Sequence, residues 1–274
     1  MTADRRLTPA NGRVAALHLQ GQVEAERFVA GESRLVEAPV TALRAAPDGK
    51  RDRELLRGEA VQVFETREGW CFIQAARDGY VGYVAAGDLR EGDAPDTRVQ
   101  VRATHAYGAP DIKTPEIAAL SMGSRLKRLG QEGAFALTDI GYVPACHLTP
   151  LDRPEVDPVA VAERLLGTPY LWGGNSAFGI DCSGLVQAAC LACGIPCPGD
   201  SDMQAAGLGT AVSDAPRRGD LLFWKGHVAW VAGPDLILHA NAHVMAVAYE
   251  GLAEAVARIA AQGGGPLTGH RRLA

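Results

Sequence analysis

The chain is expected to fold as an α+β protein, with small all-β modules first and a domain mixing helices and strands after them. Two observations carry this expectation. Before residue 150, short runs of alternating apolar and polar residues recur between Gly-, Asp- and Arg-rich turns, and one eight-residue pattern occurs twice. From Val159 onward the apolar period becomes helical, and strand-like runs then resume. At 274 residues there is room for two or three domains, and 47% hydrophobic against 22% charged residues suffices for real cores.

Residues 1–33 hold the turn signal Pro9-Ala-Asn-Gly and the apolar run Val14-Ala-Ala-Leu-His-Leu, and the sequence assigns them no role. Arg5 and Arg6 have no apolar stretch behind them, so no export signal is expected. No window approaches the ~18 apolar residues of a membrane span. The expected compartment is the cytoplasm, where thiols stay reduced. The six cysteines, Cys71, Cys146, Cys182, Cys190, Cys193 and Cys197, are therefore not read as a disulfide framework. A formal charge of −5, with Lys and Arg scattered, gives no electrostatic reason for a nucleic-acid or anionic-membrane partner.

The repeated pattern is Gly82-Tyr-Val-Ala-Ala-Gly-Asp-Leu89 and Gly141-Tyr-Val-Pro-Ala-Cys-His-Leu148. Upstream of each stands Leu-x-x-Gly-x-x-apolar: Leu55, Gly58 and Val61, then Leu120, Gly123 and Leu126. Alternating runs such as Val61-Gln-Val-Phe and Trp70-Cys-Phe-Ile predict two small antiparallel barrels, over 34–91 and 97–150. Asp152-Arg-Pro-Glu-Val-Asp-Pro then reads as a linker.

Val159-Ala-Val-Ala-Glu-Arg-Leu-Leu predicts a helix stopped at Gly167. After the loop Tyr170-Leu-Trp-Gly-Gly-Asn, Asp181-Cys182-Ser183-Gly184 opens a second helical pattern that ends at Gly194. Cys182 is thus expected at a helix start. Free N–H groups and the positive end of the helix dipole there favour a thiolate, and the same groups suit a developing oxyanion. A thiolate nucleophile needs a proton acceptor that later protonates the leaving amine, and His does this near neutral pH. Gly219-Asp-Leu-Leu-Phe-Trp-Lys-Gly-His227-Val-Ala-Trp-Val-Ala predicts two strands with His227 starting the second, and Asp235-Leu-Ile-Leu-His239-Ala predicts a third. A hairpin between the last two would set His239 beside His227 as its orienting partner, with Asn241 as a rival and Asp235 as a turn residue.

The ordered set Tyr-x-Trp-Gly-Gly, Asp-Cys-Ser-Gly, Arg-Gly-Asp-Leu-Leu-Phe, Gly-His-Val-Ala and a third polar residue resembles the NlpC/P60 family of papain-like cysteine peptidases, across about 155–250. The upstream modules resemble bacterial SH3 (SH3b) domains. The first fits well, whereas the second lacks the Trp and has Ser124 where the first has Glu59. The resemblance implies a papain-like catalytic domain over 155–274 behind two SH3b barrels. It makes Cys182 the nucleophile, His227 the base, His239 the third residue and Tyr170 the aromatic near the thiol, with Asp181 and Ser183 lining the substrate site.

The same resemblance, extended to γ-D-glutamyl-L-diamino acid endopeptidases, implies a muropeptide substrate with a free amino-terminal L-Ala. Asp200 and Ser201, in Pro198-Gly-Asp-Ser-Asp-Met-Gln204, are then expected at the L-Ala end or the D-Glu backbone. Glu59 and Tyr80 are the candidates from the first barrel, and cell-wall peptide recycling is the implied setting. A papain-like amidase or transferase on another acyl substrate, and an inactive wall-binding adaptor, are the other classes open to such a chain. No cofactor is expected. Cys190, Cys193 and Cys197 form C-x2-C-x3-C, but without an obvious fourth ligand they are read as packing residues and not as a metal site.

Overall fold

A computed structural model describes residues 4–273, and the chain divides at Asp152 and Arg153 into two units. In the first unit the period-two runs become a seven-stranded antiparallel sheet. Its order is Arg51–Leu56, Val40–Arg44, Val81–Ala85, Trp70–Ala75, Ala60–Arg67, Glu32–Val36 and Leu89–Arg90. The inward residues Val36, Leu43, Leu55, Val61, Ile73 and Val84 make the core. Alternation along Trp70–Ala75 sends Cys71, Ile73 and Ala75 inward and Phe72 outward. A bulge between Val63 and Glu65 sets Glu65 opposite Phe72 on the outer face.

That outer face is covered by the segment to which the sequence assigns no role. Val14–Ala16 pairs in parallel with Arg27–Val29, and Val14 and Ala16 pack on Phe64, Phe72 and Val81. Full burial of Val14 alone is worth roughly 1.5–3 kcal/mol. The segment is pinned by polar contacts as well: Arg13 Nη2 donates to Glu65 at 2.7 Å and Asn11 Nδ2 to the Tyr83 hydroxyl at 3.1 Å. Residues 4–29 are thus an outer layer of the first module.

Residues 97–150 repeat the strand order with one interruption. Glu116–Ser121, Ala103–Tyr107, Gly141–Pro144, Phe135–Thr138 and Arg128–Glu132 form one sheet, and Arg125–Leu126, Thr97–Val99 and Leu148–Pro150 form another. The counterpart of Ala60–Arg67 is the pair Arg125–Leu126 and Arg128–Glu132, broken at Lys127. Val99, Ala106, Leu120, Leu126 and Val143 fill this smaller core. Gly58 (φ 76°) lies against the Arg125 carbonyl, where any Cβ would collide, and the Arg125 N–H donates to the Arg57 carbonyl at 2.8 Å. Asp139 accepts from both Arg57 and Arg90, tying the two halves of this unit together.

Among the described residues the second unit has four α-helices: α1 (Pro158–Glu163), α2 (Cys182–Ala192), α3 (Ser201–Gly207) and α4 (Leu252–Ala261). Asp157 caps α1 by accepting from Val159 N and Ala160 N, and Pro158 stands in the first turn where no N–H is required. The sheet is antiparallel and six-stranded: Thr210–Ala211, Gly269–Arg272, Asp220–Trp224, His227–Gly233, Leu236–Asn241 and Ala246–Gly251. Both α1 and α2 pack on His227–Gly233 and Leu236–Asn241. Ala255 and Ile259 of α4 join Leu222, Trp224, Ala229, Val231 and Ile237 in a buried cluster. Among the described residues no helix is long and apolar enough to cross a membrane.

Candidate active site

Asp181 precedes α2 in extended conformation, and its carboxylate collects three donors. Oδ1 accepts from Gly184 N at 2.6 Å and Ser183 Oγ at 2.9 Å, and Oδ2 accepts from Gly173 N at 2.9 Å. One side chain thereby caps the helix and clamps the Gly173-Gly174 loop onto its first turn. The approach is tight enough that Gly184 admits no side chain, because a Cβ would run into the Gly174 carbonyl. Cys182 is the first residue of α2 and is 7% exposed, a cysteine outside any disulfide at the positive end of a helix of eleven residues. Asp181 and Ser183 were expected to line the substrate site. The structure gives their polar atoms a first task in holding the turn that carries Cys182.

Tyr170 is held by its N–H, which donates to the Met245 carbonyl at 2.8 Å. Its phenol is pushed upward by burial and, next, by the nearby Cys182 and Asp181, so it stays a hydroxyl beside the thiol.

Across the sheet, His227 opens its strand and His239 lies on the neighbouring one. His227 Nε2 and His239 Nδ1 are 2.8 Å apart. His239 is fully buried, and its Nε2 sits 3.0 Å from Glu250 Oε2, close but with the N–H not aligned for a hydrogen bond. Glu250 is gripped by Arg258 of α4, whose Nε donates to Oε1 at 2.8 Å and Nη2 to Oε2 at 2.7 Å. Burial pulls the His227 pKa down to about 3, helped by the adjacent His239. It pulls that of His239 down to about 4 against the opposing pull of Glu250. Both rings therefore rest neutral, the state a general base requires. The Trp224 ring, 5.8 Å from that of His227, forms part of this enclosure.

Asn241, the rival orienter, is used elsewhere: its Oδ1 accepts from His243 N and Val244 N, both at 3.0 Å, and caps the turn that follows. Asp235 occupies the turn before the His239 strand with φ 54°.

The Asp200-Ser201 segment is fixed by two buried glutamines. Gln187 of α2 donates to the Cys197 carbonyl at 3.0 Å and accepts from Asn175 Nδ2 at 3.1 Å. Gln204 of α3 donates to the Ser183 carbonyl at 3.0 Å and the Pro198 carbonyl at 2.9 Å. The loop bearing Asp200 and Ser201 is thus built against the residue that follows Cys182. Asp200 stands at the N-cap position of α3 but makes no side-chain cap bond. Cys190 and Cys197 are buried thiols close enough to interact, which with burial pushes the Cys190 thiol up. Among the described residues, no group of three or more His, Cys, Asp or Glu is placed to hold a metal ion.

In the first module, Glu59 and Tyr80 belong to one cluster that sequence reasoning did not resolve, because its centre is Arg77. Arg77 Nη1 donates to both oxygens of Glu59, at 2.8 and 3.0 Å, and its Nε lies 3.2 Å from Asp78. Asp78 Oδ1 in turn accepts from Tyr80 N at 3.0 Å, and the Tyr80 ring joins the core of the module. Glu59 is therefore not the isolated exposed acid of a turn but half of a buried ion pair.

The NlpC/P60 family model matches residues 167–258, and the bacterial dipeptidyl-peptidase SH3 domain model matches residues 43–89. The chain is 30% identical over 236 residues to dipeptidyl-peptidase 6 of Lysinibacillus sphaericus, a match spanning 76% of this chain and 87% of that protein. It is 40% identical over 212 residues to the γ-D-glutamyl-L-lysine dipeptidyl-peptidase of Bacillus subtilis, spanning 68% and 71% respectively. An NlpC/P60 family protein of Bacillus cereus has the same fold, with a TM-score of 0.75 at 20% identity over 88% of this chain and 99% of that one. With its cysteine at a helix start, its paired histidines and its amino-terminal SH3 domain, this chain belongs to the NlpC/P60 family and is a peptidase.

Proposed function

We propose that the chain is a cysteine peptidase that hydrolyses the γ-D-glutamyl–diamino acid bond of peptidoglycan stem peptides whose amino-terminal L-Ala is free. The observation that carries the reading is the His227–His239 pair at 2.8 Å, on strands packed against the helix that begins with Cys182. In this reading His227 Nδ1 takes the Cys182 proton as the sulfur attacks the γ-carbonyl carbon. The oxyanion is held by N–H groups at the start of α2 and by the Tyr170 hydroxyl. Collapse breaks the C–N bond, and the His227 imidazolium gives its proton to the departing amine. Water then attacks the thioester, losing a proton to His227, and the Cys182 sulfur leaves and takes that proton back.

The substrate class is drawn from the two dipeptidyl-peptidases to which the chain is similar. Free-amine recognition is assigned to Asp200 and Ser201, and to Glu59 with Tyr80. Glu59 lies in a buried polar cluster with Arg77 and Asp78, and carboxylates of this kind suit the recognition of an ammonium group. Residues 97–150 are taken as a diverged second SH3b module, on the strength of the shared strand order. The setting is taken to be peptide recycling in the cytoplasm, a compartment in which cysteines stay reduced.

The test is to give the full chain L-Ala-γ-D-Glu-diamino acid tripeptide and its N-acetylated form. Cleavage of the free form alone is expected. Equal cleavage of both removes the amine-reading part, and failure to cleave either removes the substrate assignment.

A further inference from the structure

We propose that Glu250, held by Arg258, is the positioning residue that fixes the tautomers of both histidines in series and leaves His227 Nδ1 bare for the Cys182 thiol; the inference rests on the peptidase reading above.

A carboxylate only accepts hydrogen bonds. With Glu250 Oε2 3.0 Å from a fully buried His239 Nε2, the proton of that ring belongs on Nε2, because the other tautomer would press a lone pair against an anion. His239 Nδ1 is then a lone pair. The 2.8 Å contact to His227 Nε2 requires a donor on the His227 side, which puts the His227 proton on Nε2. The only basic nitrogen remaining on His227 is Nδ1. Each assignment forces the next, and the series starts at Glu250.

Arg258 decides how strongly Glu250 acts. Its two bonds offset the carboxylate charge, and Arg258 Nη1 is itself steadied by Gln262 at 3.0 Å across one turn of α4. An unopposed Glu250 would draw a second proton onto His239. His239 Nδ1–H would then face His227 Nε2, and the His227 proton would be displaced to the nitrogen needed for the thiol. Among the described residues the charged groups that act on the pair are Glu250 and Arg258; α2, which Cys182 opens, and α1, which carries Glu163, pack on the same strands. Glu163 is engaged by Arg218 and Tyr249.

The experiment compares Glu250→Gln and Arg258→Met in the full chain, with two readouts. Iodoacetamide labelling of Cys182, followed by peptide mapping from about pH 3 to 9 so that the acid limb of the depressed histidines is covered, needs no substrate, and tripeptide kinetics give kcat and KM. E250Q is expected to slow labelling at pH 7 on the order of tenfold or more, within the 10²–10⁴ that a placed base supplies. It is also expected to move the acid limb to lower pH, because the imidazolium loses its nearest anion. R258M is expected to move the limb the other way, by about half a pH unit. On the tripeptide, kcat falls in E250Q while KM stays within about twofold. Limbs that do not move, or that move in the same direction in both variants, overturn the proposal. So does a loss of labelling accompanied only by a lower Tm. If E250Q does not fold, the limb of R258M decides alone. Opposite limb shifts in a protein that leaves the tripeptide intact would sustain the relay and sink the substrate assignment.

Discussion

Replacing Asp181 with Ala removes three bonds at one stroke, and its cost can be worked from the geometry. Loss of the helix cap at Gly184 N costs about 1 kcal/mol. Gly173 N, 2.9 Å from Oδ2, is left as a buried donor facing nothing, at about 1–3 kcal/mol. Ser183 can turn its hydroxyl elsewhere and adds little. The sum is roughly 3 kcal/mol, which in a unit of about 120 residues lowers Tm by about 10 °C. The assay is thermal unfolding of the full chain followed by tryptophan emission, since Trp172, Trp224 and Trp230 all lie in the second unit and only Trp70 in the first. Asp181→Asn separates the contributions. It keeps an oxygen for Gly184 but turns an amide N–H toward Gly173, and about half the loss is expected. Cys182 labelling should slow in parallel as the turn loosens. A fall of less than about 2 °C for D181A would refute the clamp and return Asp181 to the role of a substrate contact.

Stability should also fall with acidity in a window set by the histidines. Folded His227 and His239 both have pKa values below the ordinary 6.5, so their contribution is complete above that pH and is lost as pH drops toward about 4 and 3. Between pH 6.5 and 5, above the carboxylate range, denaturant titration should give a slope of up to about 1.4 kcal/mol per pH unit for each ring, and His239→Gln should roughly halve it. Gly184→Ala drives a methyl into the Gly174 carbonyl and should cost about 2–3 kcal/mol, seen as a lower urea midpoint. Gln204→Ala strips the Ser183 and Pro198 carbonyls of their donor, and should raise KM for the tripeptide severalfold with kcat less affected. An unchanged KM would detach the Asp200-Ser201 loop from substrate binding.

Much of the site was legible because its signals are local. Asp-Cys-Ser-Gly before a 3.6-residue apolar period places a cysteine at a helix start, and the hairpin spacing of His227 and His239 brings the rings together without further information. Glu250 and Arg258 were not legible. Glu250 is an ordinary acid in Ala246-Val-Ala-Tyr-Glu-Gly, and its meaning depends on strand register, with Ile237 opposite it, and on the turn that returns α4. Gln187 and Gln204 are both fully buried to hold loop carbonyls, a role that no sequence period reveals. The same holds at the amino-terminal end. Val14-Ala-Ala announces an apolar face, but its partners Phe64 and Phe72 lie some fifty residues on, and the parallel pairing with Arg27–Val29 has no turn signature. Glu59 was a candidate on its motif alone, and the sequence does not show that it is buried against Arg77, eighteen residues later.

The position of Gly269–Arg272 in the six-stranded sheet has a consequence for biogenesis. Of the six strands of this sheet, the latest in sequence is inserted between Thr210–Ala211 and Asp220–Trp224, with Arg272 bonded to Asp220 by two nitrogens at 2.7 and 2.8 Å. While the ribosome is still extending the chain, Asp220–Trp224 has one open edge and Asp220 is a buried acid lacking its arginine. The hairpins carrying His227 and His239 are already available by then, but the sheet beneath them closes only when Arg272 has emerged. Such long-range closure slows folding relative to local pairing. A nascent peptidase of this design acquires its mature sheet after synthesis has passed the catalytic residues, and the open edge is the surface that chaperones would meet in the interval.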